Sequence, residues 1–432
     1  MWDPTLNKFI KSTLILLFGG VITKIFSFII RIYFTRVVGT DGIGIYSLVM
    51  PSFSLLVTIT TLGFPLAISN IVAKGEKRGK TVVFSAIPIA MILNLFLILI
   101  MVFTSKYISI YLLHNESTYY PLLALSFVLP FISVASILRG YFFGKQQMFP
   151  HAISNVIEQI FKLSIVLLVL PRIMHYGVVV TVTGYILISI LSETMSIIIF
   201  LIFLPKGFNF SSKDLVPDFG TVKDVLTIGL PCTSSRLIGN IGYFFEPIIL
   251  TNIMLRMGFS SAYITNQYGI YNTYVLGLLL VPTYLQMAIG TALLPEMSKN
   301  YQNKVKVFKI FKKVTLFSVL FGICANTFLY FFCDEILWIV FRTTEGANYI
   351  KFMCFFFIIY YFEAPINSTL QALSENKYMM KTTFWSTVVR LMVLAFLSFL
   401  KFSMYALIIS EIVNIIFVVI FNYKRLYKKL KN

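Results

Sequence analysis

The apolar positions along the chain fall into blocks of about 18 to 25 residues, and short polar connectors separate the blocks. Each block can cross about 30 Å of hydrocarbon as a helix, whereas the alternation of polarity over about 10 residues that marks a membrane barrel does not occur. The pattern therefore predicts an all-α polytopic membrane protein with twelve transmembrane helices. The predicted spans are 12–37, 46–72, 82–103, 121–143, 153–170, 178–203, 225–255, 268–294, 314–333, 349–371, 383–400 and 405–422.

The composition agrees with this pattern. Of the 432 residues, 58% are hydrophobic and 12% are charged, about half the charged fraction of a soluble domain. The mean hydropathy is +0.86. The longest connectors, near 204–224 and 296–313, are polar and lysine-rich, and none is long enough to form a soluble domain. The N-terminal segment lacks the pattern of a cleavable signal, so we expect it to remain as the first helix.

The net charge of +19 is distributed unevenly along the chain. If the N-terminus lies inside, the segments on the cytoplasmic side hold 24 basic residues, and the opposite side with its helix ends holds eight. This asymmetry predicts that both termini are cytoplasmic and that the basic inner face attracts anionic membrane lipids. The charge does not require a nucleic-acid partner. The four cysteines and three histidines are scattered, so no metal site is predicted.

Self-comparison at an offset of about 230 residues gives weak matches in a constant order along the chain. For example, GIGIYSLV from Gly42 parallels QYGIYNTYV from Gln267. We predict two six-helix lobes, residues 1–205 and 206–432. Because six is even, both lobes would enter the membrane in the same direction around a central cavity, an arrangement that supports alternating access.

Several spans carry charged side chains, which are costly in hydrocarbon. Lys24 and Arg31 are seven residues apart in the first span and share one helical face. Arg236, Asn240 and Glu246 lie along the seventh span. Each charge near the midplane costs roughly 2.5–3.5 kcal/mol, so we expect these groups to border the protein interior or a wet cavity. The basic faces of the first and seventh spans can converge on an anion such as a phosphate.

Other charges in the spans admit more than one interpretation. Glu158 and Lys162 have the favourable i, i+4 order, and they can neutralise each other or take part in coupling. Arg139 lies near a span end and can snorkel to the headgroups or face the cavity. Arg236 with Glu246 can form an interhelical lock or a coupling-ion site.

Charged groups also occur late in the chain. Arg390 in span 11 shares a face with Thr383 and Thr387. Further acidic groups, in spans 6, 10 and 12, are Glu193, Glu363 and Glu411. The sequence contains no Walker loop, no GxSxG and no cluster of His or Cys with ligand spacing. The residues therefore favour a transporter over an enzyme.

Several stretches of the chain resemble a known family. They include LRGYFFGKQQMFPHAISNVIEQ, SRLIGNIGYFFEPIIL and YYFEAPINSTLQAL, and the likeness extends from about residue 10 to about residue 420. These stretches are similar to the multidrug/oligosaccharidyl-lipid/polysaccharide exporter (MOP) superfamily, in the branch that holds sporulation proteins and lipid II flippases. The resemblance implies that the protein translocates a polyprenyl-diphosphate-linked glycan, such as a peptidoglycan precursor for the spore cortex. It also implies that the protein lies in the cytoplasmic membrane of a Gram-positive spore-forming bacterium.

By the same resemblance, Lys24 and Arg31 would hold the diphosphate, and cell-wall synthesis enzymes would be partners. The chain departs from the lipid II flippases in two ways. Its second span has no charged residue where they have an arginine, and it has twelve predicted spans where the family commonly has fourteen.

Three hypotheses follow. In the first, a lipid-linked glycan flippase, the substrate ligands are Lys24, Arg31, Arg139, Arg236, Asn240 and Arg390, and the coupling or gating residues are Glu246, Glu158 and Lys162. In the second, a cation-coupled exporter of organic cations, the cavity would be acidic rather than basic. The third is a non-transporting scaffold for cell-wall enzymes. No cofactor is predicted, and the choice between H+ and Na+ as a coupling cation stays open. The basic pair in the first span favours the flippase.

Overall fold

The computed structural model describes residues 4–75, 77–205, 208, 217–299 and 302–431. In this part of the chain all regular secondary structure is helical, and the predicted all-α membrane fold is confirmed. The helices are α1 (Pro4–Thr61), α2 (Phe64–Lys74), α3 (Gly79–Tyr107), α4 (Tyr119–Gly144), α5 (Met148–Ile173), α6 (Val178–Ile202), α7 (Phe219–Arg256), α8 (Ser261–Ile270), α9 (Leu276–Leu279), α10 (Thr283–Lys299), α11 (Lys304–Phe331), α12 (Cys333–Phe341), α13 (Ala347–Phe357), α14 (Glu363–Ala372), α15 (Asn376–Phe399) and α16 (Tyr405–Lys431).

Ten helical segments of the described residues are long and apolar enough to cross a membrane. The first, Phe18–Lys74, overlaps the first two predicted spans. The non-helical backbone of Gly39 kinks α1 between them, so this segment contains two successive helices followed closely by α2. Predicted span 8 (268–294) is not among the ten, since it is divided into α8, a π-helical segment, α9 and α10. The count of twelve spans and the cytoplasmic position of the termini stay predictions.

Local sequence signals set several helix ends. The side chain of Asn303 accepts a hydrogen bond from the N–H of Lys306 at the start of α11, and Ser260 caps α8 through the N–H of Tyr263. Both are short polar side chains of the kind that satisfies the first free N–H groups of a helix. Between such ends the helices are apolar runs whose backbone groups are paired internally, as hydrocarbon requires.

The chain divides into two compact units, Met1–Asn240 and Ile241–Asn432. Unit 1 contains α1 to α6 and the first part of α7, and unit 2 contains the remainder. The boundary between the units falls inside α7, whereas the predicted lobes divide the chain at the connector before that helix. The lobe boundary at 205/206 stays a prediction.

Unit 1 has an apolar core where α2, α3 and α4 meet the start of α7. Its buried side chains include Phe64, Phe142 and Val225. The turn between α1 and α2 lies directly against α7, because a Cβ on Gly229 would collide with the backbone oxygen of Leu62. The absence of a side chain at this position permits the close approach, so the first part of α7 is an integral element of unit 1.

A buried polar network connects α1, α3 and α4 within unit 1. The side-chain amide of Asn94 donates to Oγ of Ser133 at 2.6 Å and accepts from the hydroxyl of Thr60. All three residues are buried. Since an unpaired amide in an apolar interior is costly, this network fixes the relative register of the three helices.

Unit 2 is built around the hairpin of α15 and α16. The chain reverses direction between these helices through two residues with positive φ, Lys401 and Ser403. The second part of α7 packs closely on α15, because a Cβ on Gly242 would collide with Cγ2 of Thr387. This contact lies about one turn from the charged residues of the same two helices.

Candidate functional site

Unit 1 contains a group of charged side chains on four helices, which we call the unit 1 cluster. Its members are Arg31 of α1, Arg139 of α4, Glu158 and Lys162 of α5, and Glu193 of α6. Glu158 interacts electrostatically with Glu193, Lys162 and Arg139, and Glu193 interacts with the same two cations. Lys162 and Arg139 thus face the two carboxyl groups, and with Arg31 the cluster holds three cations and has an excess of positive charge.

Aromatic side chains connect Arg31 to the rest of the cluster. The ring of Tyr185 stacks on Phe34 with 4.0 Å between the centroids and lies 5.5 Å from the ring of Tyr46. Arg31 lies close to both tyrosines. Nζ of Lys162 lies 5.2 Å from the centroid of the Tyr185 ring, a cation–π geometry. The same pair of tyrosines therefore positions a cation from α1 and a cation from α5.

Hydrogen bonds hold α5 against α1 and α6. Nζ of Lys162 donates to Oγ of Ser189 at 3.0 Å. The hydroxyl of Ser27 donates to Oε1 of Gln159 at 3.1 Å, and Nε2 of Gln159 lies 3.3 Å from Oε1 of Glu158. Lys162 thus bonds across to α6, and its interaction with Glu158 is one electrostatic contact within a larger group.

Arg139 and His151 each present a buried polar atom that makes no hydrogen bond to a described residue. These atoms are Nε of Arg139 and Nδ1 of His151. Nε2 of the histidine lies 3.4 Å from the side-chain nitrogen of Asn155, and its ring packs edge-on against Phe143 at 4.9 Å. Because buried polar atoms are normally paired, this side of the cluster can accept a further polar group.

Three other predicted site residues belong to unit 1 but have different surroundings. Lys24 is exposed on α1, and Arg236 is exposed on α7. The amide of Asn240 donates to Oγ1 of Thr58 at 2.5 Å and to the backbone oxygen of Ser54 at 3.3 Å. Asn240 therefore attaches α7 to the second half of α1, and its amide is engaged in holding the fold.

Unit 2 contains an ion triad formed by Glu246 of α7, Arg390 of α15 and Glu411 of α16. Nη2 of Arg390 lies 3.1 Å from Oε2 of Glu246, and Nη1 donates to Oε2 of Glu411 at 2.7 Å. The hydroxyl of Tyr268 donates to the other oxygen of Glu246 at 2.9 Å. The sequence left Arg236 open as a partner of Glu246, and the structure pairs this carboxylate with Arg390 and Tyr268 instead.

Further polar groups surround the triad. Tyr271 begins the π-helical segment Tyr271–Val275 and interacts electrostatically with all three members; such segments often occur at functional sites. Glu363, the first residue of α14, accepts a hydrogen bond from Asn367 at 3.1 Å and interacts with Glu411. In this group three carboxyl groups face one guanidinium, so its balance of charge is opposite to that of the unit 1 cluster.

The pairing of Arg390 with Glu411 has a signal in the sequence. The two residues lie at comparable distances before and after the short turn between α15 and α16, so the hairpin brings them to the same depth. The contribution of Tyr268 has no such signal. It depends on α8 lying beside α7, which the hydrophobic pattern does not specify.

The fold defines the class of protein. The chain is a multi-pass protein of the cell membrane with the fold of MOP-superfamily transporters. An inward-facing MATE family multidrug resistance transporter of that superfamily has a TM-score of 0.74 and 15% sequence identity to this chain, covering 95% of this chain and 96% of the transporter. This likeness concerns the fold.

The chain belongs to the polysaccharide biosynthesis protein family. One family of that description matches residues 9–301, and a second matches residues 264–432. Stage V sporulation protein B of Bacillus subtilis (strain 168) is 32% identical over 381 residues, 85% of this chain and 73% of its own. Lipid II flippase MurJ of the same organism is 21% identical over 425 residues, 89% of this chain and 76% of its own. The predicted resemblance to sporulation proteins and lipid II flippases is confirmed, and the likeness to MOP-superfamily transporters is confirmed at the level of the fold.

Proposed function

We propose that the protein is a flippase that moves a polyprenyl-diphosphate-linked glycan across the cell membrane by alternating access, with lipid II for spore cortex peptidoglycan as its substrate. The relatives support this assignment, since one is a lipid II flippase and another a sporulation protein. The observation that carries it is the excess of positive charge in the unit 1 cluster, which holds the cations Arg31, Arg139 and Lys162 and two carboxyl groups.

The chemistry of the cluster fits a diphosphate. A guanidinium offers a planar fork of donors that matches phosphate oxygens, and a lysine adds a point charge. The buried Nε of Arg139 makes no hydrogen bond to a described residue and is suited to donate to a phosphate oxygen. Arg31 is half-buried near the rings of Tyr46 and Tyr185, and a charge that is partly shielded from water attracts an anion more strongly than an exposed one.

The remaining candidate residues have supporting roles in this proposal. In this proposal Lys24, exposed on the same helix as Arg31, and Arg236, exposed on α7, attract the anion before it reaches the cluster. Asn240 is engaged with α1 and positions α7. Arg390 is engaged in the triad, so it acts with Glu246 in gating.

Coupling to H+ or Na+ would act through the two ionic groups. Glu158 and Lys162 belong to a cluster that joins four helices, and Glu246 belongs to a triad that joins three. A change in protonation or ion binding at either group therefore alters the packing of several helices at once. This is the physical basis for a coupling or gating role of these three residues.

The test is transport by the full-length protein in liposomes that contain fluorescent lipid II. Arg31→Gln should lower the rate of translocation about tenfold or more, because a hydrogen bond to a charged group contributes about 1.5–3 kcal/mol. Arg36→Gln is the matched control, since Arg36 is an exposed arginine five residues further along α1. Its translocation rate should stay near that of the wild type.

Two outcomes would remove the proposal. If the wild-type protein is folded and inserted but moves no lipid-linked glycan, the result favours the non-transporting scaffold over the flippase. If Arg31→Gln and Arg36→Gln have equal rates, the cluster does not hold the diphosphate.

A second candidate function, a cation-coupled exporter of organic cations, is favoured by one observation. The ion triad and the neighbouring Glu363 together contain three carboxyl groups and one guanidinium, and this acidic excess would attract cations. The same liposomes decide between the two functions. Export of a fluorescent organic cation without movement of lipid II would support the exporter.

A further inference from the structure

The ends of α11 and α16 in unit 2 carry a group of exposed lysines, which we call the basic platform. It comprises Lys304, Lys306, Lys309, Lys312, Lys313, Lys424, Lys428 and Lys431. The platform belongs to neither the unit 1 cluster nor the ion triad, and the proposed transport mechanism does not use it.

The lysines of α11 occupy one side of its first three turns. Val307, Phe311 and Ser318 are buried and follow the spacing of a single helical face. The five platform lysines of α11 lie on the remaining circumference, and all are exposed. The helix therefore begins as an amphipathic segment, with its apolar face in unit 2 and its basic face outward.

The end of α16 repeats this arrangement with a more regular spacing. Lys424, Lys428 and Lys431 follow the i, i+4, i+7 rule and form one exposed stripe. Tyr423 and Tyr427 form the neighbouring stripe, and they are 43% and 49% exposed. Lysine and tyrosine stripes side by side are typical of a helix at the boundary between membrane and water.

An aromatic seam joins the two basic surfaces. The ring of Phe311 lies 6.5 Å from that of Phe308 on α11 and 6.5 Å from that of Tyr423 on α16. The ring of Tyr423 lies 6.4 Å from that of Tyr427. These contacts place the two sets of lysines beside each other at one end of the spanning helices α11 and α16.

The turn before α15 clamps the end of α16. Glu375 accepts hydrogen bonds from Nε of Arg425 at 2.9 Å and pairs with Nζ of Lys429 at 2.6 Å. The guanidinium of Arg425 also lies 5.1 Å from the ring centroid of Tyr378. Two cations of α16 are thus engaged inside unit 2, and this fixes the rotation of the helix that turns the lysine stripe outward.

We propose that the basic platform binds the anionic headgroups of phospholipids in the adjoining membrane leaflet. The platform lies at the ends of two membrane-spanning helices, where phosphates of the headgroup layer are within reach of lysine side chains. Its aromatic seam suits the same layer. Its charge is of one sign, so the ligand chemistry it fits is a surface of lipid phosphates. The platform would enrich anionic lipid beside unit 2 and hold both helix ends at the membrane surface.

The experiment measures which lipids the full-length protein retains. The protein is reconstituted in a mixture of phosphatidylglycerol and phosphatidylcholine, extracted in mild detergent and analysed by native mass spectrometry. The wild type should retain phosphatidylglycerol above its share of the mixture. Replacing the five α11 lysines, or the three α16 lysines, by glutamine should lower the ratio of the two retained lipids by about threefold or more, since each lysine near an anionic surface contributes substantially to binding.

The matched control removes five cations from unit 1. It carries Lys74→Gln, Arg78→Gln, Lys80→Gln, Lys145→Gln and Lys223→Gln, and it should lower the ratio clearly less than the five-lysine platform variant does. An equal fall in the control would overturn the proposal, because net charge alone would then explain the enrichment. An unchanged ratio in both platform variants would also overturn it. The proposal would also be overturned if the platform variants kept the lipid ratio but lost an acidic protein that co-purifies with the wild type. The platform would then bind a protein rather than lipid. Equal thermal stability of all variants in detergent excludes misfolding as the cause.

Discussion

Replacing Arg390 by methionine tests whether the ion triad stabilises unit 2. Methionine has an unbranched side chain and carries no charge. Glu246 and Glu411, which interact with each other electrostatically, would lose the cation between them. The side chain of Glu246 is 4% exposed, so water does not replace the lost partner. We expect Arg390→Met to destabilise unit 2 markedly.

The magnitude follows from the geometry of the triad. The two contacts of Arg390 are 3.1 Å and 2.7 Å long. At an effective dielectric constant near 20, unit charges at about 3 Å attract with about 5 kcal/mol, and desolvation offsets part of this. Removing one partner of a buried pair costs about 3–5 kcal/mol. Glu411 is 23% exposed and therefore better screened by water. We expect Arg390→Met to lower the free energy of unfolding by about 3 kcal/mol, which corresponds to about 6–12 °C in Tm for a unit of this size.

The assay is thermal unfolding of the purified protein in detergent at pH 7. A double-mutant cycle uses Glu246→Gln, Arg390→Met and the variant with both changes. The double variant should lose about 1–3 kcal/mol less free energy of unfolding than the sum of the two single losses. Arg256→Met, at an exposed position near the end of α7, should change stability by about 0.5 kcal/mol or less. An Arg390→Met protein as stable as Arg256→Met, or strictly additive losses, would refute the reasoning.

Three further predictions follow from single contacts. Gly242→Ala should lower Tm because its Cβ collides with Cγ2 of Thr387, and Thr387→Ser in the same chain should restore most of the loss by removing that methyl group. Glu375→Gln should lower Tm at pH 7. Burial raises the pKa of Glu375, but hydrogen bonds from Lys429 and Arg425 outweigh it and hold the pKa below its ordinary value of 4.5. Its stabilisation is therefore present above that value, and it is lost as the pH falls through the lowered pKa. Lys77→Gln should lower the free energy of unfolding by about 1 kcal/mol or less in the same assay, because the ion pairs of Lys77 with Asp218 and Asp224 are partly solvated.

Each of these expectations has a contrary outcome. Thr387→Ser that fails to rescue Gly242→Ala would mean that the α7–α15 contact is not the cause of the loss. For Glu375, the difference in Tm between wild type and glutamine variant should narrow as the pH falls below 4.5. A constant difference would assign the effect to packing. If Lys77→Gln lowers the free energy of unfolding by several kcal/mol, the ion pairs of Lys77 stabilise unit 1 more than solvated ion pairs normally do.

The fold could be predicted in outline because the length of apolar runs is a direct physical requirement of the bilayer. Span boundaries were harder where helices kink or break. Gly39 has φ of 65° and a non-helical backbone, so a kink there separates the two helices that correspond to the first two predicted spans. The π-helical segment and the turn near Pro282 divide the predicted eighth span. Neither feature changes the hydrophobicity of the chain, so the pattern does not reveal it.

The candidate site was predicted less completely, because a sequence shows that a charge needs a partner without showing which one. Arg31, Arg139, Glu158 and Lys162 are brought into one cluster. Their connection depends on tyrosines, which are too common in this chain to have been singled out. Arg390 was predicted as a substrate ligand, whereas the structure pairs it with carboxylates from two other helices.

The opposite balance of charge in the two polar groups means that the halves of this protein have specialised. In the proposed function a small anion would be drawn toward one half and a small cation toward the other, so a chain built from two copies of either half would lose this difference.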